Sequence, residues 1–240
     1  MNEWTSGTVI RGTAGERDTL IAAGPHQILD GMDLDDVLLG SANDDVLIGG
    51  QGSDTLFGGG GRDLAVFAGP RAAYALDILG NGQVTVTLAS SIFGPEIDSL
   101  YDIDRLQFDD AQVALDVNGN AGDAYRLYQA AFDRVPDLAG LGYQMHDLDL
   151  GYPLAQVAAN FIASPEFQAK YGNLADAQFV TQLYKNVLHR EPEPFEVIFH
   201  VDNELHGGFS RAQVLTFFSD SPENRAYVIG QIEGGMLYVY

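Results

Sequence analysis

Gly49-Gly50-Gln51-Gly52-Ser53-Asp54-Thr55-Leu56-Phe57, followed at once by Gly58-Gly59-Gly60-Gly61-Arg62-Asp63-Leu64-Ala65-Val66, decides the architecture of the first part of this chain. Both stretches fit one nine-residue pattern, Gly-Gly-x-Gly-x-Asp-x-apolar-x. Toward the N-terminus, Asp45, Asp36 and Asp18 stand on the same register, with Gln27 in the one slot that lacks an aspartate. Two residues after each slot come Leu20, Leu29, Leu38, Leu47, Leu56 and Ala65. Turns rich in Asp and Gly are common. Five aspartates on a shared register, each followed at the same distance by an apolar side chain, indicate a repeating fold instead.

The physical reading follows from the spacing. Glycine lets a six-residue turn take positive φ and expose its carbonyls. The three residues after the turn form a short strand whose middle side chain points inward. The earlier windows are looser: Met32 and Leu34 stand where the pattern has glycine, and in the next window Ser41 and Asn43 do. Asn tolerates the left-handed conformation better than most residues. The windows from Thr13 and Ala22 are weak, and Gly12 to Asp18 carries one residue too many.

These nonapeptides resemble the RTX (hemolysin-type) calcium-binding repeat. The resemblance implies a short parallel β-roll over residues 12–66 in which two nonapeptides make one coil. Aspartates eighteen apart would then stack, Asp36 with Asp54, Asp45 with Asp63, and Asp18 with Asp36. Stacked strands lie ~4.8 Å apart, and two carboxylates at that spacing repel by ~3.5 kcal/mol at an effective dielectric of 20. A hard divalent cation held by carboxylate and carbonyl oxygens reverses the sign, and Ca2+ suits such a flexible cage better than Mg2+. The expected metal residues are Asp18, Asp36, Asp45, Asp54 and Asp63, with the turn residues Gly40, Asn43, Gly49, Gly50, Gly52, Gly58, Gly59 and Gly61.

The outward strand positions, among them Val37, Leu39, Val46, Ile48, Phe57, Leu64 and Val66, are also apolar. Covering by the following chain is the expected reason, with a partner as the alternative. Residues 67–117 read as a β cap of the roll. Residues 74–79 and 84–88 flank the hairpin signal Gly80-Asn81-Gly82-Gln83, and 106–108 and 113–115 make a second strand pair. The string Ile103-Asp104-Arg105-Leu106-Gln107-Phe108 resembles the strand that closes hemolysin-type rolls, and a solenoid end needs such a cap. Asp116 to Asp123 begins like a calcium-binding EF-hand loop, but Ala121 takes its glycine position and Leu127 its bidentate glutamate position. A linker turning into a helix is the better reading.

From Asp123 the period is helical and the chain repeats itself over residues 123–230. Leu127-Tyr128, Phe132, Arg134 and Pro136 recur fifty-six residues on as Leu183-Tyr184, Leu188, Arg190 and Pro192. Leu148, Val157, Phe161 and Ser164-Pro165-Glu166 recur fifty-seven residues on as Leu205, Val214, Phe218 and Ser221-Pro222-Glu223. Ser-Pro-Glu is a strong helix start: Ser caps, Pro pre-sets φ, and Glu faces the positive end of the dipole. This half resembles the bacterial domain-of-unknown-function family 4214, on the strength of Arg134-Val135-Pro136-Asp137-Leu138-Ala139-Gly140-Leu141. The second copy departs, with Glu193 and Glu196 in place of the Asp-x-x-Gly step. The fold class expected is therefore multi-domain β + α: a short parallel β-roll with a β cap, then an all-α domain of two duplicated helical repeats.

Twelve Lys and Arg against thirty-four Asp and Glu give a net charge of -22. That argues against nucleic acid, whose phosphates need a basic face, and against anionic membranes. No stretch reaches the ~18 apolar residues of a transmembrane helix. The absence of cysteine removes thiol nucleophiles and zinc ribbons. His146, His189, His200 and His206 do not have the spacing of a zinc-protease helix, and there is no nucleophile elbow or phosphate loop. The chain is thus expected to be no enzyme.

Residues 1–5 show no secretory leader, and RTX relatives leave by type I secretion with an uncleaved C-terminal signal. The tail, residues 231–240, is a candidate for part of such a signal or for a contact strand. The expectation is a secreted or surface-associated bacterial calcium-binding protein acting in adhesion or assembly. Its helical domain would contact a protein or a surface glycan, with homo-oligomers or larger assemblies open. The alternatives are a component of a surface layer or spike, a remnant of a secreted hydrolase or toxin, and a metal-free cytosolic scaffold.

Overall fold

The computed structural model describes residues 7–79, 82–91 and 94–239. Gly80 and Asn81 of the expected hairpin turn, residues 1–5 and Tyr240 of the tail lie outside them. The chain divides into two compact units, one running through Leu115 and including Glu233–Leu237, the other Asp116–Ile232 with the last residues.

In the first unit a strand follows each turn: β1 (Thr8–Arg11), β2 (Thr19–Ile21), β3 (Gln27–Asp30), β4 (Val37–Leu39), β5 (Val46–Ile48), β6 (Thr55–Phe57) and β7 (Leu64–Val66). Odd strands stack in one sheet and even strands in another. Each pair is parallel. Leu38 lies between Leu20 and Leu56, and Leu47 between Leu29 and Ala65. All six are buried and form the core between the sheets. The step is eighteen residues except where Thr8 faces Gln27, because the turn ahead of Asp18 holds its one extra residue. This is the parallel β-solenoid of about three turns that the nonapeptides imply.

The cap continues both sheets. β8 (Tyr74–Ile78), β9 (Val84–Ser91) and β10 (Gly94–Tyr101) form an antiparallel meander whose last strand pairs in parallel with β6. The sequence reading has no β10, since Gly94 and Pro95 interrupt the strand pattern there. β11 (Arg105–Gln107) runs parallel to β7, β12 (Gln112–Ala114) antiparallel to it, and β13 (Met236–Tyr238) ends the seven-stranded sheet. Part of the tail is therefore a strand. Leu100 falls opposite Leu56 and Leu106 opposite Ala65, so the inward column runs past the last nonapeptide. The outward apolar positions are covered only in part: Val46 and Leu64 are buried, Val37, Leu39 and Phe57 half-buried, and Ile21 is 60% exposed. On the even sheet Phe57 stacks on Tyr101 with ring centroids 4.7 Å apart, an exchange of exposed area for cross-strand contact.

The second unit has four helices per copy: α1 (Asn120–Phe132), α2 (Leu138–Asp149), α3 (Leu154–Ala163) and α4 (Pro165–Tyr171), then α5 (Asp176–Leu188), α6 (Pro194–Phe199), α7 (Arg211–Ser219) and α8 (Pro222–Ile232). Asp116 caps the start of α1 by accepting the Ala121 N–H at 3.1 Å, which makes it a linker residue as expected. Ser164 and Ser221 cap α4 and α8 from equivalent positions. The duplication extends to contacts. Arg134 lies over Tyr128 and Arg190 over Tyr184, each at 4.8 Å. Tyr128 meets Phe161 edge-on at 5.2 Å, and Tyr184 meets Phe218 at 5.1 Å. Asp133 and His189 end α1 and α5 in the left-handed conformation, at φ 53° and 51°.

The copies differ where their sequences do. Asp137 caps α2 through the Gly140 N–H at 2.8 Å, and a methyl group on Gly140 would sit 3.0 Å from the Tyr128 ring. That cap and that close approach are what the Asp-x-x-Gly step provides. In the second copy Glu196 stands in place of Gly140. Its carboxylate takes the Arg190 guanidinium at 2.7 and 2.8 Å and caps the Glu193 N–H at 2.7 Å, whereas Arg134 reaches across to Glu166. The extra residue of the second copy is absorbed by a π-helical turn, His200–Leu205, that continues α6. A π turn accommodates such an insertion without breaking the helix. His200 there is half-buried, hydrogen-bonded to Tyr184 and Glu204 at 3.1 and 2.8 Å. It is a packed residue, held between Tyr184 and Glu204.

Candidate metal centre

Each nonapeptide aspartate ends a turn and begins a strand, and the stack of strands turns these aspartates into two columns. Asp18, Asp36 and Asp54 form one; Gln27, Asp45 and Asp63 form the other. Within a column one carboxylate oxygen of each aspartate after the first member accepts the backbone N–H of the residue eighteen positions earlier. The distances are 2.7 Å from Asp18 to Asp36, 2.8 Å from Asp36 to Asp54, 2.7 Å from Gln27 to Asp45 and 2.8 Å from Asp45 to Asp63. The stacking by eighteen thus appears as a hydrogen-bonded ladder.

The second oxygens divide into two kinds. Those of Asp36, Asp54 and Asp63 are buried and have no hydrogen-bond partner. Each lies against the glycine that opens its own turn: a Cβ on Gly31 or Gly49 would collide with the Asp36 or Asp54 carboxylate, so the side chain needs a glycine there. Asp45 instead accepts the Ser41 N–H and Asp18 the Thr13 N–H, both at 2.6 Å. Leaving an ionised oxygen dry and unpaired is among the more expensive things a fold can do. Burial accordingly pushes the Asp54 carboxyl up to about 6 and the Asp63 carboxyl to about 8, and raises Asp36, with the neighbouring carboxylates adding to the shift.

Such an oxygen calls for a cation. The donor set, carboxylate and backbone carbonyl oxygen without nitrogen or sulfur, fits Ca2+. Among the described residues no three acidic or histidine side chains converge on one point, so a bound ion would draw part of its shell from the turn carbonyls. Asp36, Asp54 and Asp63 are the side chains that would hold it, and the chemistry supplied is charge neutralisation that ties one coil to the next.

The turn residues fall into place unevenly. Gly50, Gly52, Gly59 and Gly61 take φ of 107°, 129°, 99° and 101°, as their positions require. Gly40 packs on the Gly58 carbonyl, and Gly58 on its own Asp63. Asn43, of a residue type that tolerates the left-handed conformation, does not adopt it, and neither does Ser41; the Ser41 hydroxyl accepts the Asn43 N–H at 3.1 Å and fixes a different turn. Met32 and Leu34 do adopt positive φ, 85° and 77°, without being glycine.

Two members of the columns are absent from the sequence reading. Asp98 on β10 accepts the Asp54 N–H at 2.8 Å, and Asp104 accepts the Asp63 N–H at 3.0 Å, so the cap supplies the last rung of each ladder. Burial pushes Asp98 up to about 7, with the charge of Asp54 contributing. Asp98-Ser99-Leu100 and Asp104-Arg105-Leu106 repeat the Asp-x-Leu of the nonapeptide, but they follow Asp54 and Asp63 by 44 and 41 residues, which hides the register.

Fold and site together define a roll of the calcium-binding kind in one unit and an all-helical fold in the other. Residues 30–65 match the RTX calcium-binding nonapeptide repeat in four copies, and residues 158–228 match a domain of unknown function, DUF4214. The chain carries both. The second match spans α4 to α7 with parts of α3 and α8, and leaves the Arg134 to Leu141 turn outside it. No curated protein matches the chain. Among solved structures, the extracellular lipase LipA from Serratia marcescens is 17% identical over 39% of this chain, with a TM-score of 0.21. The chain spans 17% of that lipase, and the likeness is too slight to bear on function. Among the described residues no helix is long and apolar enough to cross a membrane.

Proposed function

We propose that this chain is a calcium-stabilised, non-catalytic bacterial protein that works outside the cell, in adhesion or assembly, with its helical unit making the contacts. The observation that carries the calcium dependence is the set of buried, unpartnered carboxylate oxygens on Asp36, Asp54 and Asp63. Extracellular calcium modules typically have dissociation constants of ~10⁻⁴–10⁻³ M, far above cytosolic calcium, so the roll would stay open inside the cell and close outside. Export by type I secretion accords with the RTX repeats. The contact role rests on the second copy, where α6 buries no side chain and Phe195, Ile198 and Phe199 are 69, 59 and 52% exposed. A soluble surface keeps such a patch chiefly for a partner. Calcium titration followed by circular dichroism tests the first part: the reading requires a gain of β signal, and none up to ~10 mM would refute it. Sedimentation with and without calcium, together with a broad hydrolase screen, tests assembly and the absence of catalysis.

A further inference from the structure

The duplication supplies an internal control for the surface of the helical unit. At the fifty-six-residue offset, Phe195, Ile198 and Phe199 of α6 correspond to Ala139, Gly142 and Tyr143 of α2. The repeat folds with an alanine and a glycine at two of these three places, so its packing does not call for large apolar side chains there. In α2, Leu141, Met145 and Leu148 are buried, whereas α6 buries none of its residues. Spaced by three and four, Phe195, Ile198 and Phe199 share one face of the helix, and all three are exposed. That face has a firm base. The His200 ring meets Phe199 at 5.3 Å and the buried Phe218 at 4.8 Å, and hydrogen bonds to Tyr184 and Glu204 fix it. A stripe held in this way loses little conformational freedom when something docks on it.

Charge selects the occupant. Residues 191–210 hold five acidic side chains and no lysine or arginine. Glu191 is paired with Lys185, Glu196 with Arg190 and Glu204 with His200. Glu193 stands before the stripe and Asp202 after it, both exposed, with the His206 imidazole 3.4 Å from Asp202. Another molecule of this chain would bring the same acidic groups face to face in a two-fold contact, each partner carrying a net charge of -22. An anionic bilayer is repelled for the same reason. An apolar stripe at helical spacing is met by the matching stripe of another helix, and flanking lysines or arginines on that helix would answer the acidic rim.

We infer that the exposed face of α6 docks a basic amphipathic helix of a partner protein. The apolar side chains of that helix lie on Phe195, Ile198 and Phe199, and its cationic ones reach Glu193 and Asp202. This rests on the contact role proposed above and names the chemistry of the partner.

The test is fluorescence anisotropy of a labelled Leu/Lys peptide with leucines at helical spacing, titrated with the whole chain in calcium buffer. A Leu/Glu peptide of the same pattern is the control. The Leu/Lys peptide should bind and the Leu/Glu peptide should not. Phe195→Ser with Phe199→Ser should weaken binding by about tenfold or more, as loss of central apolar anchors does. Glu193→Gln with Asp202→Asn leaves the stripe in place; it should weaken binding about threefold at low salt and flatten its salt dependence. Tyr143→Ser in the first copy should leave binding within about twofold. Circular dichroism checks that the variants keep their helices. Should the phenylalanine variant lose them, the charge variant decides alone, and undiminished binding there overturns the inference. Equal binding of the two peptides, no binding of the basic one, or binding that survives the phenylalanine variant also overturns it. So does self-association in sedimentation, or flotation with phosphatidylglycerol vesicles, that the phenylalanine variant abolishes. Those results leave the contact role of the helical unit standing with another occupant. A phenylalanine variant that matches the unaltered chain in both peptide binding and calcium-dependent sedimentation ends the contact role of α6 as well.

Discussion

In the helical unit, buried polar side chains answer one another. Gln129 donates to the Asn186 carbonyl at 2.6 Å, and Asn186 donates to the Ala130 carbonyl at 3.0 Å across the equivalent helices α1 and α5. The buried Arg126 is met by Asp123, by Asp220 and by the Val117 carbonyl. The leftover atoms there include the uncharged amide oxygens of Gln129, Gln144 and Asn224 and one nitrogen, Nε, of the Arg126 guanidinium, whose charge is already met by Asp123 and Asp220. In the roll the leftovers include ionisable oxygens at Asp36, Asp54 and Asp63. A dry neutral acceptor costs ~1–3 kcal/mol and a charged one more. On the calcium reading proposed above, the helical unit is complete as a polypeptide and the roll is completed by an ion. A metal-dependent and a metal-independent fold can thus share one chain, each recognised by what it leaves unpaired.

The largest expected effect follows directly. Chelation with EGTA should abolish hydrogen-exchange protection in β3 to β6 and leave α1 and α5 protected. Equal loss in both units would erase the contrast drawn here. Next in size, Leu47→Ala should destabilise the calcium-loaded roll by about 3 kcal/mol in denaturant titration, since a fully buried leucine leaves a cavity between two sheets. A loss below ~1 kcal/mol would mean that the metal, and not the leucine column, carries the fold.

Acidity acts oppositely on the two forms of the roll. Asp54 and Asp63 have folded values of about 6 and about 8, above the ~4 of an unfolded aspartate. Protons therefore favour the folded metal-free state: that stabilisation is whole below pH ~4 and is lost as pH rises through 6 and then 8. The metal-free roll should show more β signal by circular dichroism at pH 5 than at pH 8, while calcium affinity should increase from pH 5 to pH 8 because the ion competes with protons. A metal-free roll more stable at pH 8 would contradict the burial of these groups. The smallest effect belongs to the strained turn. Leu34→Gly should relieve ~1 kcal/mol, visible as a calcium midpoint shifted to lower concentration, and a shift to higher concentration would show that the leucine side chain contributes more than its backbone conformation costs.

The parts legible in the sequence are those written as periods. Leu20 through Ala65 gave the core because a strict nine-residue step leaves each inward side chain no other place. Arg134 and Arg190 gave the duplication because each must find its tyrosine again. Asp98 and Asp104 were hidden because a meander separates them from the column they complete, and pairing across such a gap is fixed by tertiary contact, not by local pattern. Asn43 misled for a different reason: tolerance of the left-handed conformation is not a demand for it, and the Ser41 hydroxyl offers the turn a competing bond. The π-helical turn was present in the numbers as the change of offset from fifty-six to fifty-seven, but which helix would swell to hold the additional residue depended on packing around His200.

Because Asp98 lies on a meander built from ordinary antiparallel pairing, and Asp104 leads into β11, which pairs antiparallel with β12, the spiral has one end finished by backbone pairing. Each coil laid against it presents fresh carboxylates to the next, so assembly acquires a direction, from the cap back toward β1, and fraying should begin at the opposite end.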